Sequence, residues 1–183
     1  MPKLTRAQTR LVAEIEEVAS DLGLDYRSLL EQWAGSEYLT TLLGLARREL
    51  IAAAIVHEYT YIDELLGSII ARYFMGTLGG VRAWRSKRFQ RFNYFVLEKL
   101  YVVQKLALVR DIRALPRESV RYVEKINDLR NAVAHSFFPE NLRGERTRYK
   151  GLDVFTVEGF RRLREDRDDA LAPLFRRAYQ IRG

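Results

Sequence analysis

The chain has 183 residues, 48% hydrophobic and 30% charged, with a formal net charge of +7. That length is enough for one domain with a real core, and the composition argues against wholesale disorder. The absence of cysteine excludes disulfide scaffolds, thiol catalysis and cysteine-ligated zinc or iron–sulfur centres. Two histidines without a His-x-x-x-His pair exclude a histidine-rich metal site and leave a carboxylate site for magnesium open. The positive balance favours polyanionic partners without implying any sequence preference.

The opening "MPKLTRAQTR" lacks the apolar core of a secretory signal, so a cytoplasmic setting is expected. From about Thr5 to Leu22, Leu11, Ile15 and Val18 recur at helical spacing, with Thr5 as N-cap. Asp25 caps a second, short helix, "YRSLLEQWAG", which Gly35 closes. Ser36 begins a third run that continues to Phe74 with an interruption expected near Gly44. This run contains "ELIAAAIVHEYTYIDELLGSII", but His57, Glu58, Asp63 and Glu64 break it, so it is not a membrane span.

"MGTLGG" is a turn signal. A further helix is expected from Ser86 to Ile112. Pro116 suits the first turn of the next, which reaches about Phe138 and stops at Pro139. The stretch around 147–156 has a different texture, and Lys150-Gly151 between Tyr149 and Leu152 reads as a small hairpin. Thr156 and Gly159 open a last helix ending near Tyr179, which Pro173 is expected to bend or cut. The expectation is one all-α, up-and-down helical domain over 1–183. Residues 1–40 form an N-terminal helical extension, 45–180 the bundle, and a β-hairpin decorates it.

Chemistry concentrates in "DLRNAVAHSFFPENLR", residues 128–143. On a wheel of about 100° per residue, Tyr122, Ile126, Leu129, Val133 and Phe137 form one stripe, which is expected to face the core. Glu124, Asn127, Asn131 and His135 fall on roughly the opposite side, with Arg130 between, on the Asn127 flank. Asn131 and His135 are four apart and can hydrogen-bond, and Arg130 can reach round to the same spot. Ala132 and Ala134 are expected to leave the neighbouring surface uncluttered. The helix C-terminus favours the imidazolium of His135, while Arg130 opposes it. Histidine serves as acid or base near neutral pH, and arginine holds a phosphate bidentately. Together they suit metal-free attack of an RNA 2′-hydroxyl on its own phosphodiester. Acid and base are both wanted, and a two-fold dimer packing this polar face on itself would supply two histidines in one cleft.

"RNAVAHS" resembles the Arg-x4–6-His signature of the HEPN superfamily (higher eukaryotes and prokaryotes nucleotide-binding), in which a polar residue commonly follows the arginine, as Asn131 does here. The resemblance covers about residues 45–180. It implies a four- or five-helix bundle that dimerises with the signature helices facing each other. It also implies a cofactor-free, metal-independent endoribonuclease of a toxin or defence system, with Arg130 and His135 catalytic, Asn131 orienting them, RNA as substrate and a cognate antitoxin as partner. Some HEPN toxins carry a tyrosine two residues past the histidine as a nucleotidylation target. Phe137 stands there instead, which puts that mode of control in doubt. Other members are inactive, so the alternative is a non-catalytic HEPN-like interaction or binding module. A DNA-binding regulator is a weaker reading, because no helix-turn-helix spacing with a basic recognition helix is present.

Two basic clusters are candidates for RNA contact. One is Arg143, Arg146, Arg148 and Lys150, directly after the signature. The other is "VRAWRSKRFQRFNYF", residues 81–95, where Arg85 and Arg88 stand among aromatics that can stack bases. The rival reading makes those aromatics core and the arginines a solvated face, and the spacing of Phe89, Phe92 and Val96 favours core for these three. His57, Glu58, Asp63 and Glu64 read as solvated or buried-paired charges, with Glu58 a possible partner for Arg130. In "RRLREDRDD", Arg161–Glu165 and Arg162–Asp166 are expected as ordinary i,i+4 pairs.

Overall fold

A computed structural model describes residues 4–21, 23, 39–76, 85–134 and 145–179. They form an all-α fold with one two-stranded hairpin. The order is α1 (Arg6–Asp21), α2 (Leu39–Met75), α3 (Lys87–Phe95), α4 (Val102–Ile112), α5 (Arg117–Ala134), β1 (Arg148–Tyr149), β2 (Leu152–Asp153), α6 (Val157–Glu165) and α7 (Arg167–Tyr179). No helix among the described residues is long and apolar enough to cross a membrane.

The central element is α2, 37 residues and about 55 Å long at 1.5 Å per residue. It meets α1, α4, α5 and α7 on different sides. That is why its sequence is apolar nearly all round rather than striped. Ile51, Ile55, Ile62, Leu65, Leu66 and Ile70 are buried against Leu106, Val109, Tyr122, Ile126, Leu129, Leu171 and Leu174. Contrary to the expected interruption, α2 runs straight through Gly44. A lone glycine inside a helix costs only about 1 kcal/mol, and the packing of Leu43 with Ile15 and Ala19 offsets it. The helix stops after Met75, where Gly76 takes a left-handed φ of 75°.

Thr5 caps α1 as its spacing predicts. The Gln8 amide donates to Thr5 Oγ1 at 3.3 Å, and the Thr5 amide to Gln8 Oε1 at 2.9 Å. Glu14 pairs with Arg47 of α2 and Glu17 with Arg161 of α6, so α1 is clamped at two places. Arg161 therefore does not make the expected pair with Glu165. Arg162 does, at 3.0 Å, and also reaches Asp166 at 3.8 Å. The short helix expected at "YRSLLEQWAG" lies outside the described residues.

The helix expected from Ser86 to Ile112 is two helices. Ser86 caps α3 by accepting from the Phe89 amide at 3.2 Å, and a 3-10 turn at Leu97–Lys99 separates it from α4. In one straight helix Leu97 and Val102 would lie about 140° apart round the axis. The break lets both bury. Gln104 restarts the helix by accepting from the Tyr101 amide at 2.8 Å. Pro116 sits just before α5, its carbonyl accepting from the Val120 amide at 3.2 Å. The expected continuation of α5 to Phe138 and its stop at Pro139 fall outside the described residues.

The hairpin lies where expected. Arg148 pairs with Asp153 and Tyr149 with Leu152, and the two-residue loop holds Lys150 at φ 50° and Gly151 at φ 84°, the signs of a type I′ turn. The last helical segment also departs from expectation. It divides at Asp166, and α7 passes through Pro173 without ending. Dividing there lets Phe160 and Leu163 of α6 and Ala170, Leu171 and Leu174 of α7 all reach the core.

The glycines give a sharp test of this packing. A Cβ at Gly159 would collide with the backbone carbonyl of Asp153, whereas one at Gly44 meets open space. Gly159→Ala should lower stability by about 1–3 kcal/mol, as overpacking does. Gly44→Ala should leave it unchanged or raise it by up to about 1 kcal/mol. Urea denaturation of the two variants checks both.

Candidate functional site

Arg130 and Asn131 occupy the last described turn of α5. The buried side of the helix is Ser119, Tyr122, Val123, Ile126, Leu129 and Ala132, a wider arc than the expected stripe. Val133 is only half-buried, and Ala132 is core rather than open surface, because α2 and α7 both pack on this helix. Ala134 is exposed, as expected. The outer side carries exposed Glu124 and Asp128 with half-buried Asn127 and Asn131.

Arg130 lies at the edge of the buried arc and is itself half-buried. Its Nη1 donates to Asn131 Oδ1 at 3.3 Å, and its guanidinium carbon stands 5.2 Å from the centre of the Tyr59 ring of α2. Among the described residues it has no carboxylate within ion-pair distance. A cation held by an amide oxygen and a ring face keeps its full charge and most of its donors for an incoming anion. His135 and Arg143 lie outside the described residues, so the expected contact of His135 with Asn131 does too.

Glu58 does not pair with Arg130. It is buried on α2, and both of its oxygens accept from Arg167 Nε of α7 at 2.9 Å. The Tyr122 hydroxyl of α5 donates to it at 3.3 Å, and Arg167 also stands over the Tyr61 ring at 5.4 Å. Burial, and then the neighbouring Glu58 charge, push the Tyr122 phenol well above its ordinary pKa. Burial opposes the Arg167 charge, but the hydrogen bonds and charge of Glu58 outweigh it and raise its pKa. The reading of Glu58 as a buried-paired charge holds, with a different partner. Asp63 is likewise paired, accepting from buried Lys105 Nζ at 2.7 Å. His57 and Glu64 are exposed.

The remaining candidates divide. The turn carrying Arg146 abuts α5, and the Arg146 carbonyl accepts from Lys125 Nζ at 3.0 Å, leaving its side chain exposed. Arg148 is exposed on β1. Lys150 is committed to the hairpin, pairing with Asp166 at 2.6 Å. Burial works to raise the Asp166 carboxyl, but hydrogen bonds from Lys150 and Tyr149 outweigh it and hold the group below its usual value. Burial, with Asp166 beside it, pushes Tyr149 up to about 12. Thus Arg146 lies beside the helix of Arg130 and Arg148 follows it on β1, while Lys150 serves the fold.

Arg85 and Arg88 belong elsewhere. The helix α3 packs near the C-terminal end of α2, where Phe92 meets Phe74 at 6.2 Å between ring centres. That point is about 22 Å along the α2 axis from Tyr59, at 1.5 Å per residue. Of the three residues expected as core here, Phe89 is buried and Phe92 half-buried, but Val96 is exposed because the helix ends beneath it. Tyr59 was not legible as part of the site, since nothing in the sequence sets which α2 residue faces Arg130.

Among the described residues no three His, Asp or Glu side chains gather as a metal site requires. Comparison with known protein families, with curated proteins and with solved structures finds no match.

Two measurements follow from these ion pairs. Glu58→Ala leaves the Arg167 Nε and the Tyr122 hydroxyl without their acceptor, Arg167 keeping only exposed Asp168 at 2.9 Å, and should cost about 3 kcal/mol in chemical denaturation. Because the Asp166 pKa is lowered on folding, its stabilisation is present above about pH 4, the usual carboxylate range, and is lost as pH falls through the lowered value. Asp166→Asn should therefore flatten the pH dependence of stability below about pH 4.

Proposed function

We propose that this protein is a metal-independent endoribonuclease of the HEPN type, a toxin or defence component whose active site is completed by a second copy of the chain. The observation that carries this reading is the state of Arg130. It is a half-buried arginine at the end of a bundle helix, oriented by Asn131 and the Tyr59 ring, with no carboxylate neutralising it among the described residues. Arg167 and Arg47, by contrast, are matched to glutamates.

In the proposed reaction His135 takes the proton of the RNA 2′-hydroxyl, whose oxygen then attacks the adjacent phosphorus. The bond to the 5′-oxygen breaks, and that oxygen leaves with a proton from the second protomer's histidine, producing a 2′,3′-cyclic phosphate and a 5′-hydroxyl. Arg130 stabilises the charge that builds on the phosphoryl oxygens, and Asn131 positions the arginine and the histidine. The polar outer side of α5, with Asn127 and Asn131, is the face that would meet its copy. Arg146, in the turn against α5, and Arg148 on β1 would guide the RNA backbone, with Arg143 following the signature in sequence.

Purified protein incubated with labelled RNA in EDTA should cut it. His135→Ala should lower the rate by about 10²- to 10⁴-fold, the usual worth of acid–base catalysis. Arg130→Ala should lower it by about 10²-fold or more. Both variants should keep the wild-type circular dichroism and oligomeric state. If wild type and variants are equally inert while the dimer persists, the non-catalytic interaction module is correct. Equal cleavage by all three would overturn the assignment of these residues.

A further inference from the structure

The outward face of α3 combines exposed rings with exposed cations. On a wheel at about 100° per residue, Tyr94, Lys87, Arg91, Phe95 and Arg88 fall within one arc of about 120°. All five are exposed, Tyr94 by 55% and Phe95 by 68%. Phe89, on the other side, anchors the helix in the core. The two outward rings meet edge to face at 5.0 Å between centres. Beyond the helix, Lys99 Nζ lies 5.2 Å from the Tyr94 ring centre, and Tyr101 is 72% exposed.

The charges of this face are unbalanced. None of Arg85, Lys87, Arg88, Arg91 and Lys99 has a carboxylate within ion-pair distance among the described residues. The one acid of the segment, Glu98, accepts from Asn93 Nδ2 at 2.6 Å. The first turn of α3 holds Lys87 and Arg88 and no acid, so these cations sit against the positive end of the helix dipole. An anion laid across them relieves that repulsion. Exposed aromatics also lose favourable burial, so the face carries two unmet demands, for negative charge and for flat apolar surface.

We propose that this face is a platform for single-stranded nucleic acid, with unpaired bases stacking on Tyr94 and Phe95 and the backbone held by Lys87, Arg88 and Arg91. Nucleic acid strands present anionic phosphates and planar rings at alternating positions, which matches the alternation on α3. A duplex hides its ring faces and fits only the cations. A second copy of the chain is disfavoured as occupant, because two-fold pairing would set the three cations against their own copies. The platform does not depend on cleavage and stands about 22 Å along α2 from the Arg130 turn, at 1.5 Å per residue.

The test is fluorescence anisotropy of the full chain with a labelled oligodeoxythymidine, which lacks the 2′-hydroxyl and so reports binding whether or not the protein is a nuclease. The single strand should bind more tightly than a duplex of equal length. Tyr94→Leu with Phe95→Leu keeps apolar bulk but removes the ring faces. That pair should weaken single-strand binding by roughly 10- to 100-fold with the salt dependence unchanged. Arg88→Ala with Arg91→Ala should instead flatten the salt dependence, by about 0.7 in slope for each phosphate that is no longer neutralised. Tyr94→Phe should bind as wild type. Unchanged affinity in the leucine pair, or equal affinity of wild type for duplex and single strand, would overturn the proposal. So would a change in oligomeric state on Tyr94→Ala with binding intact, which would make the face a protein interface.

Discussion

The fold turns on a carboxylate that has lost its water. Glu58 is buried midway along α2, where an unpartnered charge would cost several kcal/mol. Its partners come from two other helices, Tyr122 from α5 and Arg167 from α7. Apolar packing alone would leave these helices free to rotate or slide, since one aliphatic ridge fits another in several registers. The charged contact has one solution. It therefore fixes α5 against α2, and in that arrangement Arg130 comes to stand over Tyr59, the residue next to Glu58. The hairpin strengthens the same corner, with Tyr149 edge-on to Tyr122 and Lys150 holding Asp166 between α6 and α7.

A second theme is how the excess positive charge is distributed. Much of it is absorbed internally: Arg47 by Glu14, Lys105 by Asp63, Arg161 by Glu17, Arg167 by Glu58. Arg177 donates to the carbonyls of Arg113 and Ala114, at 3.1 and 2.6 Å, closing the turn after α4. Among the cations to which no carboxylate is matched in the described residues are Arg130 and the group on the outer face of α3. Arg130 is oriented by neighbours, and on α3 cations alternate with exposed rings. The first suits chemistry on a phosphate and the second suits holding a strand.

Much of the fold was legible because helical periodicity and local capping are written in short range. Thr5, Ser86 and the Lys150-Gly151 turn acted as their residue types dictate. The departures share a cause in tertiary packing. Gly44 did not interrupt α2 because Leu43 beside it is buried against α1, and Ser86–Ile112 broke because Leu97 and Val102 both had to bury. Asp166 rather than Pro173 divided the final helices. For the candidate site, the contact of Arg130 with Asn131 was legible from spacing, whereas that with Tyr59 and the true partner of Glu58 depend on which helices become neighbours. The sequence left the exposure of Tyr94 and Phe95 open for the same reason, since aromatics in a helix can form core or a stacking face and their neighbours decide which.

In the proposed reaction the nucleophile is the internal 2′-hydroxyl of the RNA, and Arg130, Asn131 and His135 are the residues assigned to it. The most direct measurement places a single 2′-deoxynucleotide at a mapped cleavage position in an otherwise unchanged RNA and compares cutting there in EDTA. Cleavage of the parent RNA to a 2′,3′-cyclic phosphate, with the deoxy position left intact, is the predicted result. Cutting at the deoxy position, or no cutting of either RNA by the wild-type protein, would contradict it.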